Sequence, residues 1–390
     1  MKLTDSFLRF ARSEQFGGVL LIACTVTSLT LANSALGPGY LAFWQMPLGP
    51  LSLEHWINDA LMAVFFLLIG LELEREIYVG ELSNPRGALL PIFAALGGMA
   101  APAAIHYLFN AGETTAMGFG IPMATDIAFA LGILALLGPR VPSALKVFIV
   151  AFAVIDDLGA IVLIAAVYTN GFSLGWLAAA LAIWIALLAL NRGLRVMSLW
   201  PYLAGGVALW FCVLQAGIHA SIAGVMLAFA IPFTARDARS PSPSESLLHG
   251  LHKPAAFIIL PLFALANTGV MLDAESLPSA SDHNVLGIAL GLLIGKPLGV
   301  LALCALAVSA GLCVLPEGVR WKHIVGAGLI GGIGFTMSIF ITNLAFTGDA
   351  SHTNDAKVAV LAGSLLAGLL GFLWLRALTE SGDTSRVRER

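Results

Sequence analysis

The sequence predicts an all-α polytopic membrane protein of twelve transmembrane helices, on three observations. Of its 390 residues, 58% are hydrophobic and 11% charged, with a mean hydropathy of +0.90. Soluble domains carry about a quarter charged residues. Apolar runs of bilayer length recur along the chain between short polar joints, and a spanning helix needs about 20 such residues. Basic residues gather in alternate joints. Lipid leaves only helices or closed barrels as spanning structures. These runs are too long and too continuously apolar for barrel strands, which alternate.

The runs fall at 12–32, 57–76, 88–108, 115–138, 144–168, 173–191, 199–213, 216–231, 248–271, 285–310, 322–345 and 354–378. Lys2 and Arg9 precede the first, and Arg12 opens it. Its apolar stretch from Phe16 to Ala32 is long for a signal-peptide core, so a retained helix is expected. With the N-terminus inside, the inner joints and the C-terminal end hold 18 of the 20 Lys and Arg residues. The outer joints hold Glu54, Glu113, Asp273, Glu275, Asp282 and Asp349. This asymmetry supports an even count and cytoplasmic termini. Its exceptions are Lys357, near an outer helix end within snorkelling reach, and Lys296.

No water-soluble domain fits, so residues 1–390 read as one integral membrane domain. Residues 33–56, with Tyr40, Phe43, Trp44, Pro47 and Pro50, suit an interfacial segment or a small hairpin. The 234–247 joint and the C-terminal tail read as solvated linkers. Cys24, Cys212, Cys304 and Cys313 lack CxxC spacing and read as small apolar fillers. The net charge of −3 points to no nucleic-acid partner.

Ionisable groups at bilayer depth are expensive and suggest function. They are Asp126, Asp156, Asp157 and Lys296, with Glu72 nearer a helix end and His219 in the eighth run. Asp156 and Asp157 lie mid-helix in AVIDDLGAIV. Neighbours on a helix point about 100° apart, so both can border one cavity. Two carboxylates this close do not ionise equally. A hard alkali cation wants the same oxygens that a proton takes. Competition for shared atoms is the minimum machinery of exchange. Against this stands a structural pair with basic partners elsewhere, but one basic side chain is available at this depth. That base, Lys296, lies about eleven residues into its run. It is either a snorkelling lysine or a counter-charge, with Asp156 the favoured partner.

In FGIPMATDIAFALG, Pro122 removes a backbone donor and disfavours helix at Ile121. Thr125 or Asp126 can cap a restarted half-helix. GAGLIGGIGFTMSIF carries Gly326, Gly328, Gly331, Gly332 and Gly334, then Thr336 and Ser338. Glycines alone are weak evidence, since tight packing enriches them too. Two interrupted spans, one in each half of a chain, are the best sequence pointer to a transporter's ion site. Where broken helices cross, like half-helix ends face each other. Asp126 would then balance the positive ends and Lys296 the negative ends.

WINDALMAVFFLLIGLELERE (56–76), MATDIAFALGILALLG (123–138), AVIDDLGAIV (153–162), GIHASIAGV (217–225), LPLFALANTGV (260–270), GKPLG (295–299) and GGIGFTMSIFITNLAF (331–346) resemble, in order over nearly the whole chain, the bacterial NhaA sodium–proton antiporters. That family is itself a known example of inverted repeats, so the repeat reading is not independent of the resemblance. The resemblance implies inverted-topology repeats at spans three to five and ten to twelve. It implies an ion-transport core near 88–168 and 285–378, with the other helices an interface part. Sodium or lithium would leave as protons enter, electrogenically, in a bacterial inner membrane. The chain would be a transporter, not an enzyme, with no cofactor. Its partners would be membrane lipid and a second copy of the chain. Asp157 would be the main cation ligand, Asp156 a ligand and proton carrier, Thr125 and Asp126 the helix crossing, and Lys296 the partner of Asp156.

Alkaline activation would involve a mouth formed by Glu72, Arg75, Glu76, His249 and His252. The same charges also suit a solvated helix end. His219 is either a pH sensor or a hydrogen-bond partner for a neighbouring helix. Two departures stand out. The family's acid just before the first mouth histidine is Leu248 here, and the 33–56 loop, a dimerisation hairpin elsewhere, is short.

Competing readings are a cation-coupled transporter of another substrate, an intramembrane aspartyl protease and a passive channel. The protease pattern places its aspartates on separate helices, one in GxGD, which this chain lacks. An organic substrate would need more polar side chains at depth, and a channel would not require titrating acids.

Overall fold

The computed structural model describes residues 2–138, 141–169, 173–234, 241–272, 279 and 281–388, with backbone alone at 2–15, 81, 85–86 and 379–388. The chain forms helices α1 (Lys2–Ala32), α2 (Gly37–Trp44), α3 (Met62–Tyr78), α4 (Pro85–Asn110), α5 (Ile127–Leu137), α6 (Ser143–Val167), α7 (Leu174–Arg192), α8 (Trp200–Gln215), α9 (Ile222–Ala228), α10 (Pro243–Pro254), α11 (Leu260–Asn267), α12 (His283–Leu290), α13 (Lys296–Ser309), α14 (Trp321–Gly331), α15 (Phe335–Ala345) and α16 (Ala350–Arg388). A 3-10 helix spans Thr114–Met123. Wider π turns at Trp56–Leu61, Ala255–Ile259 and Gly291–Gly295 run into α3, α11 and α13.

Among the described residues, eight helices are long and apolar enough to cross a membrane, or ten if two bent pairs each count as one span. One such pair is α14 and α15, bent by 48°. The chain is thus a polytopic helical membrane protein. The eighth apolar run is not one long helix: α9 covers only Ile222–Ala228, after a turn in which Gly217 takes φ +78°. The 33–56 segment combines α2 with an antiparallel hairpin, Pro47–Leu48 against Leu51–Ser52.

Two expected linkers need correction. Ser242 accepts a hydrogen bond from the Glu245 amide, and the Glu245 carboxylate accepts one from the Ser242 amide. This reciprocal cap starts α10 inside the expected joint; residues 235–240 lie outside the described residues. The C-terminal tail continues α16 as far as Arg388, through Gly382.

The chain divides into two compact units. Unit 1 comprises Met1–Ala35, Asn84–Ala160 and Thr268–Arg390, and unit 2 comprises Leu36–Ser83 and Ile161–Asn267. In unit 2, α3 packs against α9, and a Cβ on Gly224 would strike the Ala63 carbonyl. Asn58 and Asn267 exchange amide hydrogen bonds of 3.1 and 2.8 Å, tying the first π turn to α11.

In unit 1, α13 lies along α4, and α14 packs between α13 and α16. Gly97 and Gly299 meet backbone to backbone: a Cβ on either would strike the other's carbonyl. Close approach of this kind needs small residues. Gly299→Ala should cost about 1–3 kcal/mol through overpacking. A lower unfolding midpoint in detergent would show it; an unchanged midpoint would mean that the crossing yields freely.

Candidate functional site

The site is built where two interrupted helices of unit 1 meet. The 3-10 helix ends at Met123, Ala124 is extended, and α5 starts behind Asp126. Pro122 lies inside the 3-10 helix, one residue from its end. Of the two sequence candidates for the cap, Asp126 takes the role, accepting from the Phe129 amide at 3.1 Å. The second interruption falls at Gly332–Gly334, between α14 and α15.

The breaks complete each other's hydrogen bonding. The Asp126 amide donates to the Ile333 carbonyl at 2.6 Å, and the Thr125 hydroxyl to the Gly331 carbonyl at 2.8 Å. Asp126 Oδ2 accepts from the amide and the hydroxyl of Thr336 at 3.1 and 2.5 Å. Ser338 donates to the Ile121 carbonyl at 2.6 Å. Helix ends in a dry interior need such partners. The Asp126 carboxylate therefore sits at two half-helix N-termini, each about half a positive charge.

Lys296, the first residue of α13, lies fully buried. Its Nζ donates to the Met123 carbonyl, at the C-terminal end of the 3-10 helix, and to Asp156 Oδ2 at 2.5 Å. The Phe152 ring, one turn before Asp156 on α6, lies 5.6 Å from Nζ. The snorkelling alternative is overturned, because Lys296 has no exposed surface. Asp156 and Asp157 are 0% and 1% exposed, and Asp126 is 2% exposed. Thr125 borders the Asp156 carboxylate, and Asp157 lies within electrostatic reach of Lys296.

Asp156 and Asp157 face one ammonium here, and Asp126 faces the two half-helix N-termini. If all were ionised, negative charge would be left over, and the two half-helix ends would offset only about one unit of it. A residual negative charge in so buried a site is expensive. Among the described residues, no cluster of three or more His, Cys, Asp or Glu side chains forms a resident metal site.

Asp126 holds its donors with two oxygens. Asp126→Asn turns one of them into a donor facing another donor. We expect a loss of about 1–3 kcal/mol, read as a lower unfolding midpoint. Wild-type stability and exchange kinetics together would remove Asp126 from the crossing's framework.

The remaining candidates lie in unit 2. Glu72 Oε1 and His252 Nε2 are 3.4 Å apart, with Arg75 and Glu76 within electrostatic reach of Glu72. His249 Nδ1 contacts the Glu245 carbonyl at 2.7 Å and lies within reach of His252. Leu248, just before His249, is buried. His219 lies in the turn before α9, its Nε2 2.8 Å from the Tyr168 carbonyl, with Asp59 in electrostatic range.

Sequence reasoning missed Glu74, which is buried and accepts from the Ser244 hydroxyl at 2.8 Å. Its apolar i−4 and i−3 neighbours, Gly70 and Leu71, were the available signal. Phe152 was missed too, although four residues before Asp156 places it on that helix face.

The family described as Na+/H+ antiporter 1 matches residues 8–375. A Na+/H+ antiporter NhaA from Dechloromonas aromatica is 61% identical over 374 residues, covering 96% of each chain. One from Cytophaga hutchinsonii is 54% identical over the full length of both. NhaA 1 from Flavobacterium johnsoniae is 55% identical, covering 98% of this chain and 100% of its own.

Proposed function

Because the chain belongs to the Na+/H+ antiporter 1 family, we propose that it exchanges sodium for protons across a bacterial inner membrane, with Asp156 and Asp157 as the shared ion site. It is a transporter and not an enzyme, and its substrates are ions. One observation carries the site assignment: the buried Asp156–Lys296 pair, next to Asp157 at the helix crossing.

In the state described, the Lys296 ammonium occupies one oxygen of Asp156. An arriving sodium or lithium ion needs carboxylate oxygens and displaces that ammonium. Loss of protons from the site makes room for the cation. On the other side of the membrane, protons reclaim the oxygens and the cation leaves. Asp157 serves as main ligand, and Asp156 as ligand and proton carrier. Two carboxylates have room for two protons per monovalent cation, and an excess of protons over cations is what makes such a cycle electrogenic. Asp126 and Thr125 hold the crossing, and Lys296 closes the emptied site.

The finer architecture belongs to the same reading. It has twelve spans, both termini cytoplasmic, inverted repeats at spans three to five and ten to twelve, and a transport core near 88–168 and 285–378. A homodimer in lipid forms through the remaining helices and the hairpin. Glu72, Arg75, Glu76, His249, His252 and His219 set the pH at which exchange starts. Glu72 and His252 support this as a 3.4 Å acid–histidine contact.

The test is purified protein in vesicles with a pH-sensitive dye inside. Sodium or lithium added on one side should move protons the other way. A silent dye across pH 6 to 9 would sink the exchange reading.

A further inference from the structure

Helix α15 has no side-chain cap of its own. Its first residue is Phe335, and its cap position is Gly334. A larger residue would not fit there: a Cβ on Gly334 would strike Ser338 Oγ and come within 3.2 Å of the Ala124 carbonyl. A half-helix that starts in a dry interior still needs acceptors for its first amides. Two other helices supply them. The Thr336 amide donates to Asp126, the cap residue of α5. The Phe335 amide donates to Ser364 Oγ at 3.0 Å.

Ser364 belongs to α16 and is 4% exposed. Ser364, Ala367, Gly368 and Gly371 fall at i, i+3, i+4 and i+7, so they share one face of that helix. The face lies against the break between α14 and α15. A Cβ on Gly332 would come within 3.1 Å of the Ala367 Cβ, one on Gly368 within 3.4 Å of Ile333 Cδ1, and one on Gly371 within 2.8 Å of Ile330 Cγ1. Small residues bring the backbones close enough for a short side chain to reach across. Of the four, Ser364 alone can hydrogen-bond through its side chain.

The two caps differ in charge. Asp126 brings a carboxylate, whereas the Ser364 hydroxyl accepts without adding to the negative charge already buried at the crossing. The Phe335 ring centroid lies 4.7 Å from that of Phe129, whose amide Asp126 Oδ1 accepts at 3.1 Å. Thr125, the residue before Asp126, donates to the Gly331 carbonyl and borders the Asp156 carboxylate. Ser364 is thus linked to an ion ligand through the start of α15, Asp126 and Thr125.

We propose that Ser364 is a positioning residue for ion exchange: an uncharged cap lent by α16 that holds the start of α15 against Asp126, and so keeps Thr125 and Asp156 where the arriving cation meets them. Without the hydroxyl, Phe335 keeps a buried amide with no acceptor, which is costly, and the start of α15 is left to Asp126. The cap does not depend on which ions are exchanged. Its bearing on cation affinity rests on the proposed exchange.

Ser364→Ala removes the acceptor and keeps the small size, and Ser364→Thr returns a hydroxyl. Amide hydrogen exchange in lipid should quicken over Phe335–Ser338 in Ser364→Ala and return toward wild type in Ser364→Thr. Wild-type hydrogen exchange in Ser364→Ala overturns the cap, whatever the transport result. In vesicles, Ser364→Ala should need several-fold more sodium for the half-maximal dye signal, with a maximal signal near wild type. Ser364→Thr should recover most of the affinity. A merely structural residue would instead lower the maximal signal at an unchanged half-saturating concentration, through loss of folded protein. That outcome, or no change at all, or no recovery in Ser364→Thr, overturns the positioning role. Silent wild-type vesicles would indict the exchange reading and leave the hydrogen-exchange result standing.

Discussion

Lys296→Met should be the most damaging single change to the stability of unit 1. It leaves Asp156 as a buried carboxylate without its 2.5 Å partner, and it removes the donor that the Met123 carbonyl uses. Breaking a buried pair from one side costs about 3–5 kcal/mol, whereas removing both charges is far milder. The unfolding midpoint in detergent should therefore fall by several degrees in Lys296→Met. It should recover most of the way in Lys296→Met with Asp156→Asn. A double-mutant cycle over the four proteins gives the coupling directly. If the two losses simply add, the side chains are not a working pair. Asp156→Asn alone tests the reverse case, an unpaired ammonium beside the Phe152 ring.

Asp157→Asn should abolish exchange and leave the fold standing. The substitution preserves shape but removes a charge and a protonatable oxygen at a position 1% exposed. A charge 4 Å from a monovalent cation is worth about 4 kcal/mol at an effective dielectric near 20. That is on the order of a thousandfold in affinity. The amide also has no proton to trade for the ion. The dye signal in vesicles should vanish at sodium concentrations that saturate the wild type, with an unfolding midpoint near wild type. A signal that survives unchanged removes Asp157 from the site, and a collapsed midpoint shows a structural carboxylate instead. The pair of experiments separates the two adjacent acids: Asp156 should betray itself in stability as well as transport, Asp157 in transport alone.

Much of the site was legible because its chemistry breaks the local pattern. An acid or lysine inside an apolar run is conspicuous whatever it touches, so Asp126, Asp156, Asp157 and Lys296 stood out. Pro122 and the glycines from Gly331 to Gly334 marked the interruptions for the same reason. Ser364 escaped notice: a serine among the glycines and alanines of a packed membrane helix is ordinary. Glu74 was hidden among the charges of LELERE, and only Gly70 and Leu71 one turn earlier marked its face as apolar. The reciprocal Ser242–Glu245 cap was overlooked because SPSPSES reads as linker by composition. Its S-x-x-E spacing was there to be read.

The sequence by itself determined a helical, membrane-spanning chain with costly charges at depth, because bilayer thickness and backbone hydrogen bonding constrain each segment separately. Only the tertiary structure decided how those charges are met. It set Lys296 against Asp156, 140 residues away, and lodged the Asp126 carboxylate between the starts of α5 and α15. It also placed the Met123 carbonyl, which no side-chain pattern records, within reach of Nζ. The reason is physical: the expense of a buried charge is local and shows in one segment, whereas its compensation depends on which helix ends cross, and that is a property of the packed whole.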